Sequence, residues 1–246
     1  MKSNLKLLVL IFPLNFFYFL QSSAQFEIGF GAGASIFQGD LGGTLHNGAY
    51  KFWDLNYQSI RGMGQVFVRM PINKNVRTKI NYAFASIAGS DAYAGNPEIY
   101  ERGIRMNGNV SQISGNIDFS LYKKFKLYGM VGIGYSFYNP TISQNGVSSV
   151  LSGSNYQNSC FTIPIGIGGK IADVGRHGKL EFEVVAHFVN SDWVDGVAGP
   201  NSYSNDTYTF ASLNYSIVIG GTKENPHRYA HPKQILISKN THCPEF

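Results

Sequence analysis

The chain has 246 residues and a formal net charge of +5, and only 14% of its residues are charged, against about 25% in soluble domains. No run of five or six like charges is present, which argues against nucleic acid as a partner. Glycine, with 28 residues, and aromatic residues, at 14%, are abundant. A chain so poor in charge needs protection from aggregation, and a surrounding bilayer would provide it.

The N-terminal segment has the features of an export signal. Lys2 and Lys6 give it a positive start, residues 7–20 are mostly apolar, and small residues fit a cleavage site after Ala24. A membrane anchor helix is the alternative, but the apolar run is shorter than the ~20 residues that span a bilayer. We therefore expect residues 1–24 to be a signal peptide and the mature chain to carry a charge of +3.

From residue 25 onward, apolar and polar side chains alternate with a period of two almost throughout the chain. In Phe26–Ile36 the even positions are apolar and the odd positions are glycine or polar, as in a strand with two unlike faces. No later stretch is long and apolar enough for a membrane helix, so this chain would cross a bilayer as a closed barrel. The pattern predicts about eight strands of roughly ten residues, at 26–36, 64–70, 76–85, 112–121, 127–137, 161–167, 180–188 and 211–219.

The connectors between these strands alternate in length. The long ones are rich in Gly, Asn, Ser and Asp and lie near 42–60, 89–108, 139–158 and 191–207. The short ones lie near 71–75, 122–125 and 172–178. Outer-membrane barrels have long extracellular loops and short periplasmic turns. The sequence therefore predicts an all-β fold, an eight-stranded antiparallel transmembrane β-barrel over residues 25–221 in the cell outer membrane, with both termini periplasmic and a short C-terminal tail at 222–246.

The polar face of the strands distinguishes two classes of barrel. A soluble lipocalin-like barrel turns its apolar face inward around a ligand. Here the polar face carries many glycines, among them Gly29, Gly31 and Gly132, and small residues suit a crowded narrow interior. Aromatic residues recur near the predicted strand ends, where a membrane barrel has its interfacial girdle. We expect the apolar face to contact outer-membrane lipid and the interior to be filled by side chains, without an open pore.

Charged residues on the polar face would lie in the lumen, where an unpaired ion costs several kcal/mol. We expect strand pairing to bring Arg77 and Lys79 near Asp118, and Lys170 near the two glutamates of the seventh strand. Such pairs would form a structural salt-bridge plug, whereas the alternative, an ion path, would need a wider barrel. The predicted lumen charge network consists of Glu27, Arg69, Arg77, Lys79, Asp118, Lys170, Glu181, Glu183 and His187.

The sequence contains no GxSxG, HExxH, P-loop or CxxC motif. Some eight-stranded barrels act on lipids, which makes His187 with Glu183 a conceivable catalytic pair. Their parity, meaning their place in the alternation of side chains along the strand, puts both inside the barrel. We therefore expect no enzyme activity, no catalytic residues and no cofactor. Asp192, Asp195 and Asp206 of the fourth long loop could hold Ca²⁺, although turns explain such residues more often, and no metal site is predicted.

The strand pattern stops after Gly221, and the proline-broken tail at 222–246 is too short for a domain. It is either disordered or a peptide that folds onto a partner, for example by adding a strand to another sheet. Cys160 and Cys243 are expected at opposite ends of the barrel, too far apart for a disulfide, which leaves Cys243 available to another protein. The candidate partner-binding residues are Arg228, Lys233, Ile235, Ile237 and Cys243.

Several motifs resemble those of a known family. They are Phe26-Glu27-Ile28-Gly29 with Gly39-Asp40-Leu41, the loop sequence Ser191-Asp192-Trp193-Val194-Asp195, and Cys243-Pro244 before Phe246. Together they resemble PorG, the barrel component of the type IX secretion system of Bacteroidetes, over nearly the whole mature chain. Arg102-Gly103 and Arg105 are similar to the family's second loop. Gly196 stands where the family often has an acidic residue, which argues against metal binding.

The resemblance implies a non-catalytic outer-membrane component of a protein secretion and gliding machine. In that family the barrel docks on a periplasmic ring formed by a lipoprotein and its partner protein, and the tail would be a natural contact. The expected partners are then outer-membrane lipid and these ring proteins. The alternative is a stand-alone surface barrel of the OmpA/OmpX type whose long loops bind an extracellular ligand.

Overall fold

The computed structural model describes the strands, the short turns and parts of the long loops. The described residues are 26–38, 41, 57–93, 100–101, 103–122, 126–144, 147–150, 158–175, 177–191, 194, 196 and 206–219. The predicted signal peptide and C-terminal tail lie outside these residues. Within the described residues, no helix has the length and apolar character needed to cross a membrane.

Nine β-strands occur in the described part of the chain. They are β1 (Phe26–Gln38), β2 (Arg61–Pro71), β3 (Val76–Ser90), β4 (Ile104–Tyr122), β5 (Leu127–Gln144), β6 (Val147–Val150), β7 (Ser159–Val174), β8 (Gly178–Val189) and β9 (Thr207–Ile219). Two short 3-10 turns, Tyr57–Ser59 and Asp91–Tyr93, precede β2 and follow β3.

Eight of these strands close into a barrel. Antiparallel neighbours follow the order β4-β3-β2-β1-β9-β8-β7-β5, and β5 pairs in turn with β4, which closes the ring. The first and last strands pair from Phe26↔Ile219 to Gln38↔Thr207, and the barrel strands belong to one compact unit, Ala24–Ile219. β6 adds to the end of β5 outside the ring. The prediction of a closed eight-stranded antiparallel barrel is confirmed.

The barrel strands are longer than the ten residues predicted, ranging from 11 in β2 to 19 in β4. β3 continues to Ser90 and β5 to Gln144, so much of the predicted connectors 89–108 and 139–158 is strand, and their predicted bounds were wrong. These polar segments pair with one another, as in Ser90↔Arg105, because pairing satisfies their backbone groups. A strand of 19 residues is about 60 Å long and extends well beyond an apolar band of about 25 Å.

The two faces of the strands differ as parity predicts. Outward-facing Phe30, Ile133 and Phe161 are 58%, 75% and 66% exposed, whereas inward-facing Glu27 and Ser136 are 6% and 0% exposed. An apolar outer surface around a polar interior is the arrangement of a barrel that sits in lipid.

Inward-facing glycines make room for large side chains from neighbouring strands. A Cβ added at Gly31 would lie 1.8 Å from Asn214 Oδ1, and one at Gly168 would lie 2.5 Å from Cζ of Tyr128. Both distances are far below van der Waals contact, so the lumen has no space for a further methyl group at these positions. The interior is packed with side chains.

The half of the lumen nearest the long loops contains a large apolar cluster, which the alternation pattern of the sequence did not predict. Leu41, which follows β1, and Val194, which follows β8, are 6% and 0% exposed and pack among inward side chains of the strands. We call this group the mouth cluster. It consists of Phe37, Leu41, Met63, Ala83, Ala85, Ile87, Met106, Val110, Tyr138, Cys160, Val189, Val194, Tyr208 and Phe210.

Candidate functional site: the charged layer of the lumen

The half of the lumen nearest the short turns is organised around Arg69, whose side chain has no exposure to solvent. Its guanidinium reaches four carboxylates, with Nη1 2.5 Å from Glu181 and 3.3 Å from Glu27, and Nη2 3.0 Å from Glu183. Nε lies 3.0 Å from Asp118 Oδ2 but outside hydrogen-bonding geometry, so that contact is an ion pair alone. These four carboxylates come from β1, β4 and β8, and Arg69 from β2, so the arginine joins opposite walls of the barrel.

Two further cations come from β3. Lys79 is 1% exposed and its Nζ donates to Glu183 Oε2 at 2.5 Å. Arg77 is 23% exposed and lies 3.5 Å from both Asp118 and Glu181. The expected approach of Arg77 to Asp118 is present, whereas the ion pair of Lys79 is formed across the lumen with Glu183 rather than with Asp118.

Lys179 completes the cluster, which we call the charged layer. Its Nζ pairs with Glu27 near the short-turn end of the barrel. The charged layer then holds four carboxylates and four cations, so its formal charges cancel. Its members are Glu27, Asp118, Glu181, Glu183, Arg69, Arg77, Lys79 and Lys179.

Aromatic rings line the charged layer. The Tyr128 hydroxyl donates to Glu183 Oε1 at 2.8 Å, and Arg77 Cζ lies 4.7 Å from the centre of its ring. Lys79 Nζ lies 4.7 Å from the centre of the Phe67 ring. Cations over ring faces gain electrostatic attraction, more so when desolvated. Sequence reasoning missed Lys179, Tyr128 and Phe67, although the parity of β2, β5 and β8 places all three inward.

Two predicted members of the network lie apart from it. Lys170 stands opposite Glu181 in the β7–β8 ladder, but its Nζ pairs with Asp173, three residues along its own strand. The expectation that Lys170 neutralises the glutamates of β8 was therefore wrong, because a partner on its own strand lies within reach. His187 is 3% exposed and stacks on Tyr208 with ring centroids 4.8 Å apart, inside the lumen.

A layer of neutral hydrogen bonds links the charged layer to the mouth cluster. Gln65 Nε2 donates to Asn214 Oδ1 at 2.7 Å and to Ser212 Oγ at 3.0 Å. Farther towards the long loops, the Ser136 hydroxyl lies 2.6 Å from the hydroxyls of both Thr162 and Tyr208. The lumen therefore passes from charged to neutral polar to apolar along its length, with side chains filling each level.

The remaining predicted candidates fall partly outside the described residues. Asp206 Oδ2 accepts a hydrogen bond from the Val194 backbone N–H at 2.9 Å, so this carboxylate holds the fourth loop against the mouth cluster. Asp192 and Asp195 lie outside the described residues. The described residues contain no group of three side chains that could hold a metal ion. Cys160 is a buried free thiol in the mouth cluster. The candidate partner-binding residues of the tail all lie outside the described residues: Arg228, Lys233, Ile235, Ile237 and Cys243.

The chemistry available to the charged layer is pairing of fixed charges. Its carboxylates are held by arginine and lysine, and His187 lies at the level of the mouth cluster, on the inner face of the wall. These side chains face the lumen and not the lipid-facing surface.

Comparison with known protein families places the chain in one of them. The sequence matches the family described as Domain of unknown function (DUF6089) over residues 5–220. The chain belongs to this family. A comparison with curated proteins finds no match.

Several solved structures are similar to this DUF6089 member at low sequence identity. The Neisserial surface protein A is 10% identical, with 79% of this chain and 97% of that chain covered and a TM-score of 0.45. The attachment invasion locus protein Ail of Yersinia pestis is 12% identical, with coverage of 80% and 99% and a TM-score of 0.43. A major outer membrane protein of Thermus thermophilus is 12% identical, with coverage of 80% and 100% and a TM-score of 0.48.

Proposed function

We propose that this DUF6089 protein is a non-catalytic outer-membrane barrel that acts as a closed anchor rather than a channel. The observation that carries the proposal is Arg69, which has no solvent exposure and is held by four carboxylates across the lumen. Two barriers lie in series, because the mouth cluster fills the lumen on the long-loop side of the charged layer. An ion would have to separate a neutral set of buried pairs and then cross an apolar layer, and both steps are costly.

The outer surface supports a place in lipid. Most of the large apolar residues that are exposed are outward-facing residues of the strands, such as Ile133 and Phe161. β1 begins and β9 ends at the end of the barrel that carries the short turns. Short turns are periplasmic in outer-membrane barrels, so we propose that both chain termini are periplasmic.

The finer role that we propose is a membrane-embedded component of a protein secretion machine. Its support is the sequence resemblance to the barrel component of the type IX system, together with a lumen that leaves no path for a substrate. In this role the barrel fixes a position in the membrane, and the tail at 222–246 contacts a periplasmic ring of a lipoprotein and its partner protein.

A conductance measurement tests the closed anchor. The full mature chain, inserted into planar bilayers, should give no steady ionic current, because its charged layer and mouth cluster fill the lumen. Arg69→Ala is the informative comparison, since it opens the charged layer and leaves the mouth cluster in place, so it should stay closed. A steady current through the folded wild-type barrel would refute the proposal.

Co-purification tests the secretion role. Ile235→Asp with Ile237→Asp in the full chain should abolish recovery of the ring proteins from gently solubilised outer membranes. A matched control, Ile72→Asp on an exposed periplasmic turn, should leave recovery unchanged. Undiminished recovery with the tail variant would refute docking through the tail.

The extension of β4 and β5 beyond the apolar band favours a second candidate, a stand-alone surface barrel that binds an extracellular ligand. Protease treatment of intact cells distinguishes the two functions. Cleavage of the long loops should abolish surface binding but leave the periplasmic contact of the tail intact.

A further inference from the structure

The outer face of the barrel changes character along β3, β4 and β5. Facing outward, Phe84 of β3, Ser111 of β4 and Phe137 of β5 are paired in one row of the sheet. In the next row towards the long loops, the outward residues are Ser86, Asn109 and Asn139. The aromatic row marks the upper edge of the lipid-facing band, and the sheet above it is polar.

A cavity of about 170 Å³ lies in this polar part of the wall. The 3-10 turn Tyr57–Ser59 packs against β3, and the cavity is lined by Gln58 of that turn, by Ser90 of β3, and by Arg105 and Asn107 of β4. Arg61, at the start of β2, lines the same cavity. We call it the rim pocket; it is several times the roughly 30 Å³ that one water occupies in the liquid.

Two exposed guanidinium groups therefore share one polar cavity. Arg61 Nη1 donates to the backbone carbonyls of Ile60 at 2.8 Å and Gln58 at 3.1 Å, which fixes the orientation of its planar fork. Arg105 is exposed on the outward face of β4. In the described part of the chain neither arginine forms an ion pair, in contrast to the arginines of the lumen. A fixed arginine beside a second, exposed arginine in a polar pocket suits phosphate, which a guanidinium can bind through two parallel hydrogen bonds.

The height of the rim pocket above the lipid-facing band indicates which membrane component could supply the phosphate. Arg105 lies six residues beyond Ser111 on β4, about 20 Å along the strand and about 15 Å along the axis of a barrel whose strands tilt by about 40°. The headgroup layer of a phospholipid bilayer is only about 5–7 Å thick on each side. Phosphates of phospholipids therefore lie too low, whereas the saccharide of an outer-leaflet lipopolysaccharide extends to this level.

We propose that the rim pocket binds phosphate groups on the core saccharide of lipopolysaccharide. Arg61 and Arg105 neutralise the phosphate, and the amides of Asn107 and Asn109 on the same face offer hydrogen bonds to sugar hydroxyls. The barrel then gains a lateral contact with the outer leaflet at the end opposite to its periplasmic termini. This contact does not depend on the plugged lumen or on the secretion role.

Equilibrium binding tests the site. The full mature chain in detergent is titrated with lipopolysaccharide that carries a phosphorylated core, and in a second arm with lipid A alone. Wild type should bind the first ligand at least about tenfold more tightly than the second, and Arg61→Gln with Arg105→Gln should lose that advantage, because each guanidinium supplies charge-assisted hydrogen bonds. Lys74→Gln, a change of an exposed cation on a periplasmic turn, should leave both affinities unchanged.

Three results would overturn the proposal. They are equal affinity of wild type for the two ligands, wild-type affinity in the double variant, and an equal loss in Lys74→Gln. Heat-modifiable migration on gels shows whether each variant is folded. If the double variant fails to fold, competition on wild type decides: inorganic phosphate must weaken binding more than sodium chloride of the same ionic strength, and equal effects would refute the site. The substitutions of Arg61 and Arg105 leave the lumen unchanged and should not alter the conductance. Failure of the lipopolysaccharide test can therefore be distinguished from failure of the closed anchor.

Discussion

Replacing Arg69 with methionine removes the central cation of the charged layer and keeps an unbranched, uncharged side chain. The guanidinium contacts four carboxylates at 2.5 to 3.3 Å. Without it, those four anions share the three remaining cations, and one buried negative charge has no counterion. Removing one partner from a buried ion pair typically costs about 3–5 kcal/mol. We expect Arg69→Met to lower the free energy of unfolding by about 4 kcal/mol.

Arg77→Met provides the matched control. Arg77 belongs to the same layer, but its side chain is 23% exposed and its two ion pairs are longer, at 3.5 Å. In Arg77→Met both of its carboxylates, Asp118 and Glu181, keep Arg69 as a counterion at 3.0 and 2.5 Å, so the expected loss is about 1 kcal/mol or less. A further variant, Arg69→Met with Glu181→Gln, should be more stable than Arg69→Met alone, because it removes the charge that has lost its counterion.

The assay is urea unfolding of the barrel in lipid vesicles, with the folded fraction read from heat-modifiable migration on gels. If the slope of the unfolding free energy against urea concentration is unchanged, the shift of the midpoint gives the change in the free energy of unfolding. The reasoning would be refuted if Arg69→Met cost less than about 1 kcal/mol, or no more than Arg77→Met. It would also fail if the double variant were less stable than Arg69→Met.

Three other predictions concern the lipid face, the packing of the lumen and the mouth cluster. Ile133 is 75% exposed and lies near the middle of the lipid-facing band. Ile133→Arg should therefore cost about 2–4 kcal/mol of unfolding free energy in the same urea assay. A neutral result would place this face outside lipid. Gly168→Val should cost about 1–3 kcal/mol by clashing with the ring of Tyr128, whereas outward Gly115→Val, with nothing within 4 Å of its Cβ, should be tolerated; equal effects would contradict the packed lumen. With Cys243 replaced by serine, the 5% exposed Cys160 should react with maleimide only after unfolding, and rapid labelling of folded protein would show that the mouth is open.

The sequence alone determined the number of strands in the barrel, the faces of each of these strands and the position of the short turns. These are local properties, because successive side chains in a strand point to opposite faces whatever the strand pairs with. Parity therefore placed Arg69 and Glu183 inside and Ile133 outside. It also placed Lys179 inside, although that residue was overlooked. The bounds of the long loops were less predictable, because polar segments such as 139–144 can be either strand or loop until a partner satisfies their backbone.

Only the tertiary structure decided which residues meet. The height of an inward side chain depends on strand tilt and stagger, which are set by closure of the whole ring and leave no mark in a single strand. Hence Lys79 reaches Glu183 across the lumen, while Lys170 turns to Asp173 on its own strand. The same closure brings Leu41, Val194 and the upper strand ends together as the mouth cluster. The alternation of side chains along a strand fixes the face on which a residue lies, and the geometry of the closed barrel fixes which residues it contacts.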